Sequence, residues 1–253
     1  KDQPFTEPGY NVFDGIDGEI TSSLVVSGSV DTSTFGSYTL TYDITDNAGN
    51  TAQKTRTIYV ISSYPFVAGD FTYNLDGATN TAIPSAFVGS GDTGTYVSSF
   101  DVSEIGQTYT VKLEGVRGYA LSTNPPPHII IPPGITNIGY RYFYHNGHIL
   151  TISFSHDMTI EEGICDYATQ LQSFPFEHIV GPVARNAFSE TYYMELSSLN
   201  LAKATTIEQG AFHGSSGWWV SNKGGVLNEL ILGDNITSID VNAGIAGFKR
   251  ITV

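Results

Sequence analysis

The chain is poor in charged residues and in sulfur. Of its 253 residues only 14% are charged, one is cysteine, two are methionine and two are tryptophan. This low charge, together with 27 glycines, 15 tyrosines and 14 phenylalanines, disfavours a helical bundle and is typical of strands and turns. The hydrophobic share of 40% is large enough for a buried core, so the chain is not disordered.

Basic residues are scarce as well. Eleven lysines and arginines face 25 acidic residues, and the resulting net charge of −14 repels phosphate backbones and anionic lipids. We therefore expect no nucleic acid among the partners. No stretch reaches the roughly 18 to 20 apolar residues of a membrane-spanning helix, so we expect no membrane insertion by this segment. The start at Lys1, without a charged and apolar leader, is typical of a trimmed export product, secreted or at the cell surface.

The single cysteine, Cys165, excludes an internal disulfide. It follows an apolar stretch that runs from Ile160 to Ile164. We expect it to be a small buried hydrophobe rather than a reactive thiol.

Motifs of the common enzyme classes are absent too. There is no G-x-S-x-G elbow, no phosphate-binding loop, no G-x-G-x-x-G after a strand and no H-E-x-x-H. His145, His148 and His156 lie in polar turns without a cysteine or carboxylate to complete a zinc site. We therefore expect a protein that is not an enzyme and that has no cofactor and no zinc.

Residues 1–61 alternate apolar and polar side chains in three stretches. The first holds Leu24 and Val26, the second runs from Tyr38 to Ile44, and the third ends at Val60. Clusters of aspartate, glycine and asparagine separate them. The pattern predicts three short antiparallel strands of a sandwich.

The same segment resembles the bacterial immunoglobulin-like module of secreted and pesticidal crystal proteins. The resemblance implies a β-sandwich that acts as a spacer or stalk. It rests on Pro8-Gly9, Asp17-Gly18-Glu19-Ile20-Thr21, Gly36-Ser37-Tyr38 and Tyr42-Asp43-Ile44-Thr45-Asp46-Asn47-Ala48-Gly49-Asn50.

Acidic side chains cluster in the loops of this module. Asp14, Asp17, Glu19 and Asp46, with Asp43 nearby, supply the oxygen ligands that calcium prefers. The spacing is not that of an EF-hand, and the alternative is that these aspartates hold the turns through hydrogen bonds to the backbone. Both interpretations stay open at this point.

Residues 62–127 form a second region without helical periodicity. Strand patterns cover Phe71 to Leu75, Tyr96 to Val102 and Tyr109 to Leu113, and glycine-rich turns separate them. Because the first layer of a solenoid needs a cover, we expect a β-rich linker or N-terminal cap.

Residues 128–253 contain an internal repeat. Pairs of apolar residues recur at intervals of 21 to 31 positions, and each of the first five pairs is followed by an aromatic or small residue eleven or twelve positions later. Since one such unit cannot bury its own core, the period predicts a leucine-rich-type solenoid of stacked units. The pairs end at residues 131, 154, 176, 201, 232 and 253, and the later positions are Phe143, Cys165, Phe188, Phe212 and Ala243.

These units resemble the leucine-rich repeats of the BspA type. The matching residues include Ile135 to Gly139 with Phe143, and Ile207 to Phe212, whereas Ile164-Cys165 replaces the usual Ala-Phe in the second unit. The resemblance implies an exported or surface-anchored protein that adheres to host or matrix components, without enzyme activity.

Candidate binding residues are aromatic and lie in lengthened turns. Trp218 and Trp219 occupy an insertion, and adjacent residues of an extended chain face opposite ways, so at most one is buried. The exposed one is a candidate for sugar stacking or a protein contact, unless both pack as a lid. Tyr192 and Tyr193 are further candidates. Tyr140, Tyr142 and Tyr144 alternate and form either a surface stripe or an edge cover.

The sequence thus predicts a mainly β protein in three parts, at residues 1–61, 62–127 and 128–253. We expect a monomeric bacterial surface protein that binds a host or matrix protein or glycan, with the immunoglobulin-like part as spacer. The alternative is a carbohydrate-binding accessory protein that uses the aromatic residues of the insertions.

Overall fold

The computed structural model describes residues 2–61, 65–114, 125–191, 194, 196, 198–214, 217–218, 228–245 and 250–253. Two compact units are present, Lys1–Tyr64 with Asp101–Thr108 and Pro65–Phe100 with Tyr109–Val253. Regular structure in the described part consists of 23 strands and two 3₁₀ turns, at Thr21–Ser23 and Phe176–His178. The predicted mainly β fold class is confirmed.

The first unit is built on an antiparallel sheet. Strands β1 (Phe13–Asp14) and β2 (Gly18–Glu19) form a short hairpin. Strands β3 (Val25–Ser27), β4 (Gly36–Thr45) and β5 (Thr51–Val60) pair in that order, as the three apolar stretches predict. Val26, expected in the core, is 37% exposed because β3 is an edge strand with one neighbour.

The N-terminal segment of this unit is fastened to the sheet through Glu7. Its carboxylate accepts a 2.7 Å hydrogen bond from the Tyr42 hydroxyl and forms an ion pair with Arg56. The Arg56 guanidinium also lies over the Tyr42 ring, 5.5 Å from its centroid, and Tyr10 meets that ring edge-on. The buried side chains Leu40 and Tyr42 of β4 therefore form the centre of this small core.

A five-stranded sheet opens the second region. Its strands are β6 (Phe66–Ala68), β7 (Phe71–Asp76), β8 (Thr81–Phe87), β10 (Ser99–Val102) and β11 (Gln107–Val111), in the order β10-β11-β8-β7-β6. Strand β9 (Thr93–Thr95) lies outside this sheet. Phe71, Tyr73 and Tyr109 are fully buried on it, so large aromatic side chains supply its core.

The remaining strands belong to a solenoid. They are short because each repeat contributes only a few residues to each sheet before the chain turns. In chain order they are β12 (His128–Ile130), β13 (Asn137–Ile138), β14 (Thr151–Ser153), β15 (Thr159–Ile160), β16 (Gly181–Val183), β17 (Ser198–Leu201), β18 (Ala204–Ile207), β19 (His213–Gly214), β20 (Gly217–Trp218), β21 (Glu229–Leu232), β22 (Ser238–Ile239) and β23 (Arg250–Thr252).

Parallel pairing between repeats follows the spacing seen in the sequence. On one side of the solenoid, Ile129 of β12 pairs with Ile152 of β14. On the same side, Leu230 of β21 pairs with Leu199 of β17 and with Ile251 of β23. These offsets equal the predicted intervals of 23, 31 and 21 residues. A second side pairs β13 with β15, and β16 with β18 and β22. The predicted stacking of units is confirmed.

The middle region continues both sides of the solenoid. Strand β9 pairs in parallel with β12, so that Gly94 lies beside Ile129. Leu113 forms a parallel bridge to Ile138 of β13. These residues add a layer before the first repeat. The proposed boundaries of a separate cap at residues 62–127 stay a prediction.

The third side consists of turns, which we call the turn side: residues 139–146, 161–168, 184–191, 208–213 and 240–244. Here the backbone N–H of one repeat donates to a carbonyl of the next. Phe143 donates to Ile164, Cys165 to Ala187, Phe188 to Ala211 and Phe212 to Ala243, each at 2.8 Å. This ladder places the same turn position of successive repeats in one column.

Inward side chains of the repeats form one continuous core. Phe143, Cys165, Phe188, Phe212 and Ala243, which the spacing assigns to it, are all buried. Cys165 is a free thiol, as expected, and burial raises its pKa. The last layers are the exception, since Ile239, Ile251 and Val253 are exposed.

Candidate binding surface

Three of the aromatic residues singled out in the sequence lie outside the described part of the chain. This holds for Tyr192, Tyr193 and Trp219. Trp218 lies in β20, which pairs with β19 so that Trp218 is opposite His213. The insertion therefore begins as a small hairpin that leaves the turn of the fourth repeat.

The acidic loop residues of the first unit are engaged in turns. Asp14 Oδ1 accepts hydrogen bonds from the backbone N–H groups of Asp17 and Ile16, both at 2.8 Å, and these bonds lower the pKa of Asp14. Asp46 accepts from the side chain and the backbone of Asn50, both at 2.7 Å, which lowers its pKa in the same way.

Asp17 and Glu19 complete this set. Asp17 Oδ2 accepts from the backbone N–H of Asn47 at 3.0 Å, and Glu19 lies in β2. Across the described ranges no group of three or more histidine, cysteine, aspartate or glutamate side chains is arranged to hold a metal ion. Each of the three aspartates accepts a hydrogen bond from the backbone of its own turn or, for Asp17, of another loop, and a calcium site there stays a prediction.

A cluster of rings around one arginine lies on the turn side of the first two repeats. We call Tyr140, Arg141, Tyr144, His145 and Tyr167 the aromatic cluster. The Arg141 guanidinium carbon is 5.2 Å from the centroid of the Tyr140 ring and 4.8 Å from that of Tyr144. Cation–π attraction therefore holds the guanidinium against both rings.

The other rings of the cluster stack on one another. His145 lies over Tyr167, with centroids 4.6 Å apart and planes 28° apart, and Tyr144 meets Tyr167 edge-on at 6.2 Å. Tyr140 and Tyr167 are 38% and 43% exposed. The cluster thus presents ring surface to solvent in a fixed arrangement.

Backbone geometry sets this arrangement. Arg141, His145 and Tyr167 have φ values of 51°, 55° and 59°, in the left-handed region. Arg141 donates its N–H to Glu162 at 3.0 Å, which fixes the turn against the next repeat. The left-handed residues point outward from a turn whose neighbours, such as Phe143, point inward.

The charge of Arg141 lacks a hydrogen-bonded counterion among the described residues. Its guanidinium makes no hydrogen bond and no ion pair there, and its Nε is buried without a partner. Asp166 is 5% exposed, and one of its carboxylate oxygens has no hydrogen-bond partner among the described residues. Burial raises the pKa of Asp166, whereas a hydrogen bond from Ser189 and the charges of Arg141 and His145 lower it.

The tyrosine stripe expected from the sequence is divided. Tyr142 is buried and donates its hydroxyl to that of Tyr96 at 3.2 Å, so it belongs to the core. Tyr140 and Tyr144 instead flank Arg141 at the surface. Arg141, His145 and Tyr167 were not among the binding candidates predicted from the sequence. The sequence does distinguish Arg141, since an arginine stands at the turn position where the next three repeats have Gly163, Asn186 and Gly210.

An open groove lies farther along the turn side, with a volume of about 730 Å³. Arg185 lines the groove and donates a hydrogen bond to Gln209 Oε1 at 2.6 Å. His213, which pairs with Trp218, also lines it. The full lining is Arg185, Asn186, Gln209, Gly210, His213, Val241, Asn242 and Gly244.

Nothing in the described part of the chain forms a helix that is both apolar enough and long enough to span a membrane.

Comparison with known proteins gives two family matches and two similar structures. No curated protein matches the chain. A leucine rich cell surface protein from Faecalibacterium prausnitzii A2-165 is 18% identical, with a TM-score of 0.46, over 75% of this chain and 54% of that one. The chain thus spans about half the length of that protein. The leucine rich repeat protein of T. pallidum is 15% identical, with a TM-score of 0.43, over 72% of this chain and 82% of that one.

Family models match the two parts of the chain for which the sequence shows a resemblance. Residues 1–60 match the family described as bacterial surface protein, Ig-like domain. Residues 108–218 match the BspA type leucine rich repeat region, in six copies. The chain therefore carries a bacterial surface protein Ig-like domain followed by BspA-type leucine-rich repeats.

Proposed function

We propose that this protein acts at the bacterial cell surface as an adhesion module. In this proposal the turn side of its repeats binds a host or matrix protein or glycan, and the Ig-like domain serves as spacer. The family matches support a surface setting. Neither family description names an enzyme, so we propose binding without catalysis.

The aromatic cluster is the observation that carries this proposal. Tyrosine and arginine are the side chains that most often dominate the energy of protein interfaces. Here Tyr140, Arg141, Tyr144 and Tyr167 already hold one another in place. Because the rings are ordered before a partner arrives, binding loses less conformational entropy than it would with free side chains.

The test is binding to immobilised host extracellular-matrix proteins and glycans. The wild type is compared with the double variant Tyr144→Ala/Tyr167→Ala, which removes ring surface but no charge. Phe13→Ala is the matched control, because Phe13 is an exposed aromatic residue of the Ig-like domain. We expect the double variant to lose at least about tenfold in affinity, the equivalent of one good contact, and the control to bind like the wild type. Equal binding by all three proteins would refute the proposal, as would no binding to any component.

A second candidate is carbohydrate recognition by the insertion that contains Trp218. The specific observation is that Trp218 pairs with His213, which lines the groove of the turn side. A variant lacking residues 214–225 and a Trp218→Ala variant are applied to a glycan array. Glycan binding lost in both, with matrix-protein binding retained, would select this candidate. Unchanged glycan binding would exclude it.

A further inference from the structure

Arg141 is a cation that the protein holds in place without a hydrogen-bonded counterion. Other basic side chains pair with carboxylates: Arg56 with Glu7, Lys203 with Asp157 and Arg250 with Glu229. Within the described part the Arg141 guanidinium has no such pair, and two tyrosine rings hold it instead. Cation–π contacts position an arginine but leave its N–H donors free for a ligand.

The position of Arg141 is also unusual for its repeat. The same turn position is Gly163, Asn186 and Gly210 in the next three repeats, and all three are left-handed. Glycine and asparagine adopt this conformation readily, whereas a long side chain is strained there. A strained residue that persists at an exposed site points to a functional requirement for its side chain.

The acidic groups around Arg141 leave its outer side open. Glu161 accepts hydrogen bonds from the Asn137 amide at 3.1 Å and from the backbone N–H of Tyr140 at 2.9 Å. Asp166 is buried. The buried guanidinium nitrogen is Nε, which leaves the terminal nitrogens to face solvent. A guanidinium fork exposed in this way matches the two oxygens of a carboxylate.

The rings beside Arg141 indicate what carries that anion. The exposed faces of Tyr140 and Tyr167 are apolar and flat, and the C–H face of a pyranose ring packs on such a surface. A large anionic protein would approach a chain whose net charge is −14 and would be repelled. A single sugar unit is small enough to contact only the surroundings of Arg141.

We propose that the aromatic cluster is a binding site for acidic sugars. The anionic group of a pyranose, a carboxylate or a sulfate, binds the Arg141 guanidinium, and the ring face packs on a neighbouring tyrosine. This inference rests on the proposed function, since it names the class of ligand that the turn side takes.

The experiment is calorimetric titration of the full chain with three hexasaccharides. One alternates glucuronate and N-acetylglucosamine, one alternates glucuronate and sulfated N-acetylgalactosamine, and one is neutral N-acetylglucosamine. We expect both acidic oligosaccharides to bind at least about tenfold more tightly than the neutral one, and less tightly as salt is raised. Preference for the sulfated oligosaccharide would identify sulfate as the anion, and equal affinity would identify the carboxylate.

Variants separate the site from general electrostatics. Arg141→Gln should lower the affinity for both acidic oligosaccharides at least about tenfold. Lys203→Gln removes the same charge from a part of the solenoid outside the turn side, where the lysine pairs with Asp157, and should leave binding unchanged. Tyr144→Phe keeps the ring and should bind normally, whereas Tyr144→Ala should not. Arg141→Asn is a second charge variant that should fold, because Asn186 occupies the equivalent position.

Three outcomes would overturn the inference: equal binding of the neutral hexasaccharide, equal losses in Arg141→Gln and Lys203→Gln, or no acidic binding at millimolar concentration. Its failure is distinguishable from failure of the adhesion proposal. A matrix protein whose binding is lost in Tyr144→Ala/Tyr167→Ala but kept in Arg141→Gln would support adhesion and reject the acidic-sugar site.

Discussion

The side chain of Arg141 lies across the space that Gly163 leaves open in the next repeat. A Cβ atom built on Gly163 would be 3.0 Å from Arg141 Cγ and 3.3 Å from its Nε. Asn186 covers Gly210 in the same way, 2.1 Å from the position of a Cβ there. At this turn position a residue with a side chain thus alternates with a glycine from one repeat to the next. Each of these side chains lies along the turn side, over the glycine of the next repeat.

Replacement of Gly163 by alanine should disturb both the backbone and Arg141. The left-handed φ of 66° at Gly163 makes any side chain costly, by roughly 1 kcal/mol. Contact with Arg141 adds to this cost. We expect Gly163→Ala to lower the free energy of unfolding by about 1 to 2 kcal/mol in urea titrations.

A double-mutant cycle separates the two contributions. In an Arg141→Ala background only the backbone strain remains, so Gly163→Ala should cost less there than in the wild type. Gly181→Ala is the control for strain alone, because Gly181 has a φ of 80° but no atom within 4 Å of a Cβ. Costs that simply add would show that Arg141 does not rest on Gly163.

Phe188 is the centre of the aromatic part of the repeat core. It is fully buried, and its ring lies 4.7 Å from Phe174, 4.9 Å from Phe176 and 5.5 Å from Phe212. Phe188→Ala should therefore cost about 3 to 5 kcal/mol, because it leaves a cavity between layers that cannot collapse.

Thermal and urea denaturation of Phe188→Ala measure that cost. Val241→Ala is a control on the same solenoid, since Val241 is 90% exposed, and its effect should stay within about 0.5 kcal/mol. Similar small effects of both changes would mean that the packed phenylalanine rings contribute little to the stability of the core.

The spacing of apolar residues was sufficient to predict the layers of the solenoid. Ile129 pairs with Ile152 and Leu199 with Leu230, as the intervals require. Spacing says which residues share a column but not whether a further layer covers them. Ile239 and Ile251 of the last layers follow the same spacing and yet are exposed.

The contacts within the aromatic cluster could not be predicted, because strand alternation does not apply to the turn side. Alternation places Tyr140, Tyr142 and Tyr144 on one face. Left-handed residues at Arg141 and His145 break that alternation, so Tyr142 turns inward and the tyrosines on either side of it turn outward. Contacts across repeats, such as His145 with Tyr167, depend on the stacking register and have no signature in a single repeat.

The hydroxyl groups of Tyr96 and Tyr142 form a buried polar pair in the core. Tyr142 donates to Tyr96 at 3.2 Å, and burial raises the pKa of both groups. Removal of one hydroxyl leaves the other buried without a partner, so Tyr142→Phe should cost about 1 to 3 kcal/mol. Tyr96→Phe should cost a similar amount.

The double variant Tyr96→Phe/Tyr142→Phe should be more stable than either single variant, because no buried hydroxyl remains unpaired. Urea titrations of the four proteins at neutral pH give the coupling energy directly. Strict additivity of the two single changes would contradict a hydrogen bond between these groups.

Asp166 is a buried acid whose pKa is raised, and it makes the folded state less stable as pH rises. Burial is the largest cause of its raised pKa, ahead of the opposing effects of Ser189, Arg141 and His145, and the charge of Glu190 also raises it. The folded state therefore holds a proton on Asp166 more tightly than the unfolded state does, where the pKa is 3.8. Stability from this group is complete below the unfolded value and is lost as pH rises through the folded value.

Asp166→Asn removes this pH dependence because the amide stays neutral and can still accept the Ser189 hydrogen bond. We expect the variant to be more stable than the wild type at pH 7, with a difference that shrinks as pH falls towards 3.8. Urea titrations of both proteins between pH 4 and pH 7 measure that difference. If the stability of the variant relative to the wild type instead increased as pH fell, Arg141 and His145 would stabilise the carboxylate by more than burial destabilises it. In that case the charge of Arg141 would be committed to Asp166.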